Sequence, residues 1–105
     1  MKFGLTDETI HKINSVFKKY GEVDEVIIYG SRAKGNYREG SDIDITLKGK
    51  ALTESIKSKI YSDIDDLNTP YLYDISVLEN IKADDLVEHI NRVGQLFYKR
   101  INSQS

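Results

Sequence analysis

No cysteine occurs in the 105 residues, which excludes disulfides and thiolate metal sites and fits a reducing, cytoplasmic setting. No apolar run approaches the roughly 18 residues needed to cross a bilayer, and the N-terminus carries no signal-type apolar stretch, so no membrane role is expected. Charge of either sign is not in excess: 15 Lys and Arg face 17 Asp and Glu, for a net charge of −2. Bulk attraction to nucleic acid is therefore not expected, and any hold on phosphate must be local. Apolar residues are somewhat scarce at 39%, but seven tyrosines and three phenylalanines help fill a small interior. A chain of this length has room for one domain and one modest core.

Within that domain one stretch stands out, residues 25–47. An apolar run, Val26-Ile27-Ile28-Tyr29, stops at Gly30-Ser31. A basic, glycine-punctuated segment follows, and a second apolar run then carries Asp42 and Asp44 one residue apart. Ile43, Ile45 and Leu47 alternate with Asp42, Asp44 and Thr46, which predicts a strand with one apolar and one acidic face. Side chains two apart on a strand project together, with Cα atoms about 6.5–7 Å apart. Two carboxylates so placed repel unless a cation compensates them, and oxygen-only ligands point to Mg²⁺ or Mn²⁺ rather than Zn²⁺. Asp74, in the middle of another predicted strand, becomes a third ligand if that strand is a neighbour. Gly30-Ser31 at a strand end offers backbone N–H groups and a hydroxyl to an anion, with Arg32, Lys34 and Arg38 adding positive charge. The combination suits a nucleoside triphosphate chelated to metal.

Three lookalikes are excluded. Gly30…Gly35 and Gly35…Gly40 have P-loop glycine spacing, but neither is followed by Lys-Ser/Thr. Asp42–Leu47 lacks the glycine of a calcium loop. Asp63 and Asp65 lie on a predicted helix, where residues two apart point about 200° from each other, and they read as a solvated face.

The remaining elements follow from periodicity and breakers. Helices are expected over 6–20, with Thr6 or Asp7 as cap and Gly21 closing it, over 53–67, and over 83–93 with Gly94 as cap. Strands are expected at 25–29, buried on both faces, at 42–47 and at 71–78, with a short helical turn from Ser31 and a loop from Asn36 to Ser41. Gln95–Lys99 reads as an extended tail, and Asn102–Ser105 should fray. His11 and His89 read as structural or exposed, and Tyr71 and Tyr73 as packing residues. The implied fold is α/β (α+β): a small mixed sheet flanked by helices, in a single domain spanning residues 1–105.

Gly30-Ser31, ten residues, then Asp42-x-Asp44 resembles the signature of the DNA polymerase β-like nucleotidyltransferase superfamily. Length and element order resemble its smallest branch, the minimal nucleotidyltransferase (MNT) domains. The resemblance implies the polymerase β palm-like fold, with Gly30 and Ser31 on the β- and γ-phosphates and with Arg32, Lys34 and Ser41 in the phosphate-binding segment. It implies two Mg²⁺ ions on Asp42 and Asp44, with Asp74 completing the second site and acting as base or orienter. The implied reaction moves NMP, AMP from ATP, to a hydroxyl. Relatives this short are commonly encoded beside a helical HEPN-type protein, and in several pairs the MNT member is an antitoxin that adenylylates a tyrosine of an RNase toxin. Neutralisation by binding alone and transfer to a small molecule are the alternatives.

Overall fold

The computed structural model describes residues 1–101, and the fraying expected of Asn102–Ser105 lies outside them. The order is α1 (Asp7–Lys18), β1 (Glu25–Tyr29), α2 (Gly30–Lys34), β2 (Ile43–Lys48), α3 (Glu54–Asp65), β3 (Tyr73–Val77), a 3₁₀ turn (Leu78–Asn80), α4 (Asp84–Val93) and β4 (Gln95–Lys99). The strands form one mixed sheet in the order β3-β2-β1-β4. β1 runs antiparallel to both β2 and β4, whereas β2 and β3 are parallel and joined through α3, as a parallel pair requires a crossover.

Alternation divides the sheet into two unlike faces. Val26, Ile28, Ile43, Ile45, Leu47 and Ile75 point to a core closed by Ile13, Val16 and Phe17 of α1 and Ile60 and Ile64 of α3. Burial of such side chains stabilises the fold by about 1.5–3 kcal/mol each. The opposite face carries Ile27 and Tyr29 of β1, Asp44 and Thr46 of β2, and Asp74 and Ser76 of β3. α4 packs over β1 and α2 on that side, yet Ile27 stays only half-buried, so β1 is less fully enclosed than its apolar run suggests.

Helix ends follow local chemistry. Thr6 caps α1 by accepting from the Thr9 N–H at 3.1 Å, and Thr53 caps α3 by accepting from Ile56 at 3.1 Å. Gly21 does not close α1: the helix ends at Lys18, and its C-cap, Lys19, keeps right-handed geometry. Gly94 does end α4, but in an extended conformation with φ −64° and ψ 147°. Its value is steric, because a Cβ there would lie 2.6 Å from Ile27 Cγ2. The segment read as an extended tail, Gln95–Lys99, is a full strand on the free side of β1. β3 is shorter than expected, starting after Leu72, whose side is 72% exposed although its carbonyl still accepts from Ile43 N–H at 2.9 Å.

Candidate active site

β1 delivers the chain to Gly30, where φ is +74°, a left-handed conformation that glycine adopts without steric cost. Space demands glycine as well, since a Cβ would sit 2.5 Å from Asp44 Oδ2. The carboxylate of β2 therefore rests against the bare Cα of the turn. α2 starts there, and Tyr29 at its N-cap gives no side-chain hydrogen bond to the first turn. Ser31, half-buried in that turn, keeps its hydroxyl free of any hydrogen-bond partner among the described residues.

Sheet register assembles the acids. Tyr29 pairs with Asp44 across β1 and β2, and Asp44 pairs with Asp74 across β2 and β3. Strand three does neighbour strand two, and its carboxylate lies on the same face. Asp42 stands just ahead of β2 rather than inside it, two residues from Asp44 and exposed. Burial raises the Asp44 carboxyl above its ordinary 3.8, with Asp74 and then Asp42 adding to the effect and the charges of His89 and Arg32 opposing it. Negative charge is thus concentrated and undercompensated at Asp44, the condition that a bound cation relieves.

The donor set fits Mg²⁺ in chemistry, being carboxylate oxygen without sulfur or nitrogen. It is not a closed cage: among the described residues no group of three His, Cys, Asp or Glu side chains stands at metal-holding spacing. That openness suits an ion that takes one or two carboxylates and completes its shell with substrate phosphate and water. Below the acids, Ser76 donates to Thr46 Oγ1 at 2.9 Å, and Thr46 is fully buried.

The basic segment is less uniform than its sequence suggests. Arg32 is not a free cation aimed at phosphate. It is only 3% exposed and directs Nε and Nη2 to the Ser41 carbonyl at 3.0 and 2.8 Å and Nη1 to the Phe3 carbonyl at 2.8 Å. Ser41 also turns inward, its hydroxyl accepting from the Arg38 N–H at 2.8 Å. Lys34 and Arg38 are exposed. Gly30, Ser31, Asp44 and Asp74 are thus brought together, Asp42 stands at the rim, and Arg32 and Ser41 form a brace behind it.

Two further side chains lie at the site, Tyr29 of β1 and His89 of α4. Tyr29, the last residue of the apolar run and buried, has its phenol raised by burial, and the charges of Asp74 and Asp44 reinforce the rise while the Ser76 hydroxyl counters it. His89 of α4 meets the Tyr29 ring edge-on at 6.2 Å between ring centroids, and its charge is felt at Asp44. No local spacing could reveal either, because α4 reaches the site only through the fold. Asp63 is not merely solvated: it accepts from the Tyr20 hydroxyl at 2.5 Å. A groove of about 340 Å³ runs beside Asp74 between Tyr61 of α3 and Tyr73 of β3. A larger cleft, about 430 Å³, lies at the far end of the sheet, where Lys48–Glu25 and Arg100–Asp24 ion pairs use much of its charge.

Comparison with known proteins agrees with this geometry. Residues 11–103 match the family described as "Polymerase beta, Nucleotidyltransferase". The chain is 30% identical over 91 residues to a Methanocaldococcus jannaschii protein named "Putative protein adenylyltransferase MJ0604", covering 86% of this chain and 75% of that one. It superposes with a TM-score of 0.69 on a chain of a toxin–antitoxin complex crystallised with AMP-PNP, at 16% identity, over 91% of this chain and 75% of the other. A complex of tri-AMPylated Shewanella oneidensis HEPN toxin with MNT antitoxin gives a TM-score of 0.67 at 13% identity, over 91% and 74%. A nucleotidyltransferase-fold protein of Sulfolobus solfataricus gives 0.54 at 23% identity, over 92% of each chain. With an acid-bearing sheet, a glycine turn against one carboxylate and a family match over nearly its whole length, the chain belongs to the polymerase β nucleotidyltransferase family.

Proposed function

We propose that the protein transfers AMP from ATP to a hydroxyl of a partner protein, a tyrosine of a HEPN-type toxin, and so acts as an antitoxin. The observation that carries this reading is the in-register pairing of Asp44 with Asp74 directly against the Gly30 turn. The names of similar proteins support the acceptor class: one carries the name "Putative protein adenylyltransferase" and another stands beside an AMPylated HEPN toxin.

In this reading Gly30 and Ser31 bind the β- and γ-phosphates through the first turn of α2, with Lys34 and Arg38 as exposed positive charge. Asp42 and Asp44 would hold two Mg²⁺ ions, or Mn²⁺, with Asp74 sharing the second. Bound there, the ions would supply positive charge to the entering and leaving oxygens. The acceptor oxygen forms a bond to the α-phosphorus while the α–β anhydride bond breaks, and pyrophosphate leaves in line. The hydroxyl proton passes to Asp74, the acid nearest the open groove, and from there to water. Tyr29 and the Thr46–Ser76 pair form the floor that keeps the acids in register.

The test is label transfer from α-labelled ATP, with Mg²⁺, to a HEPN-type protein encoded with this chain. Transfer is expected with wild type and none with Asp44→Asn. Undiminished transfer by that variant would remove the metal assignment.

A further inference from the structure

We propose that Arg32 is a positioning residue that fixes Asp42, and through it the cation affinity of the site, as the hub of a clip reaching back to the N-terminus. The proposal rests on the reading of Asp42, Asp44 and Asp74 as the cation-holding set, and adds a role for a residue whose sequence position suggests phosphate contact.

Three segments converge on this guanidinium. One edge of it, Nε and Nη2, grips the single carbonyl oxygen of Ser41 at 3.0 and 2.8 Å, and Ser41 is the residue directly before Asp42. Its remaining nitrogen, Nη1, holds the Phe3 carbonyl at 2.8 Å. Tyr37 and Tyr71 supply aromatic rings 5.4 and 4.9 Å from its Cζ, a favourable setting for a buried cation that forms no ion pair among the described residues. Tyr71 leads into β3 three residues ahead of Asp74, and the next residue's carbonyl bonds to Ile43. Arg32 thus joins the entry of β2 to the entry of β3, the two strands that carry the acids.

The N-terminal segment is shaped to serve this hub. Lys2 and Leu5 exchange backbone hydrogen bonds at 3.0 and 2.8 Å around a two-residue turn in which Phe3 and Gly4 both have positive φ, 57° and 74°. This is the I′ turn geometry. A phenylalanine in the left-handed region is strained and persists only where its surroundings hold it. The Phe3 ring lies 6.0 Å from that of Phe97, and its carbonyl faces Arg32. A Cβ on Gly4 would lie 2.5 Å from Tyr37 Cε1 and 2.9 Å from Arg32 Nη1, so a side chain there would push the Tyr37 ring or the guanidinium out of its present place.

Cation binding without nucleotide separates this role from phosphate contact. Mn²⁺ titration followed by electron paramagnetic resonance should show affinity falling about tenfold or more in Arg32→Ala, the range seen when a group that orients a metal ligand is lost. Methylguanidinium should restore part of it. Gly4→Ala and Tyr37→Leu leave every acid and the phosphate turn intact, and each should weaken Mn²⁺ binding several-fold while circular dichroism remains native. If Arg32→Ala does not fold, these two variants decide the matter. Wild-type Mn²⁺ affinity in all folded variants, with only the KM for ATP raised in Arg32→Ala, would overturn the proposal and return Arg32 to phosphate contact. Asp44→Asn serves as the separate control: if it binds Mn²⁺ as wild type does, the cation-site reading itself fails, and the proposal with it.

Discussion

Replacing Gly30 by alanine should separate backbone strain from catalytic geometry. The residue has φ +74°, where a side chain costs of order 1–3 kcal/mol. The new Cβ would lie 2.5 Å from Asp44 Oδ2, about 1 Å inside an ordinary contact of roughly 3.5 Å. The carboxylate must therefore shift by a distance that, at a reacting centre, can lower the rate about 10²-fold. Gly35 is the matched control, with φ +85° and nothing within 4 Å of its would-be Cβ. Gly35→Ala carries the same backbone penalty without moving an acid. Both variants should melt about 4–8 °C lower for each kcal/mol lost. Only Gly30→Ala should lose AMP transfer, about 10²-fold, when kcat is measured well below both melting temperatures. Equal activity of the two variants would refute the claim that Gly30 exists to seat Asp44.

The Asp44 carboxyl is raised above its ordinary 3.8 by burial and then by its acidic neighbours, so the folded chain holds that proton more tightly than the unfolded chain. Its contribution to stability is present at lower pH and declines as pH rises through the interval between the two values. Asp44→Asn should accordingly flatten that decline and raise the melting temperature at neutral pH, while Mg²⁺ should stabilise wild type increasingly over the same interval. Thermal melts across pH, with and without Mg²⁺, check both; a variant less stable than wild type at pH 7 would contradict the charge account. Asp74→Asn should lower kcat while leaving ATP binding near wild type, which steady-state and equilibrium titrations distinguish. Tyr20→Phe removes the bond to Asp63 and should cost about 1–3 kcal/mol with no change in transfer rate, measured by denaturant unfolding beside the activity assay.

Local rules recovered much of this molecule, for physical reasons that also mark their reach. Alternation predicts Asp44 on the acidic face of a strand because strand geometry is set residue by residue, although β2 begins only at Ile43 and leaves Asp42 ahead of it, and Gly30 is recognisable because few other residues leave a strand so sharply. The alignment of Asp74 with Asp44 depends on a parallel crossover, whose register no short window encodes. Gln95–Lys99 read as extended, but its place beside β1 is equally non-local. Arg32 reads in the sequence as a cation of the phosphate-binding segment, whereas its hydrogen bonds go to the carbonyls of Ser41 and Phe3, and main-chain acceptors leave no trace in a side-chain pattern. His89 packs edge-on against Tyr29, a contact that only the packing of α4 brings about.

The central claim is that the acids paired across β2 and β3 carry nucleotidyl transfer to a protein. Intact-mass spectrometry of a HEPN-type partner, after incubation with the chain, ATP and Mg²⁺, tests it most directly. The expected result is addition of adenylyl groups at tyrosine, abolished by Asp42→Asn/Asp44→Asn. An unmodified partner that wild type and double mutant neutralise equally well would contradict it.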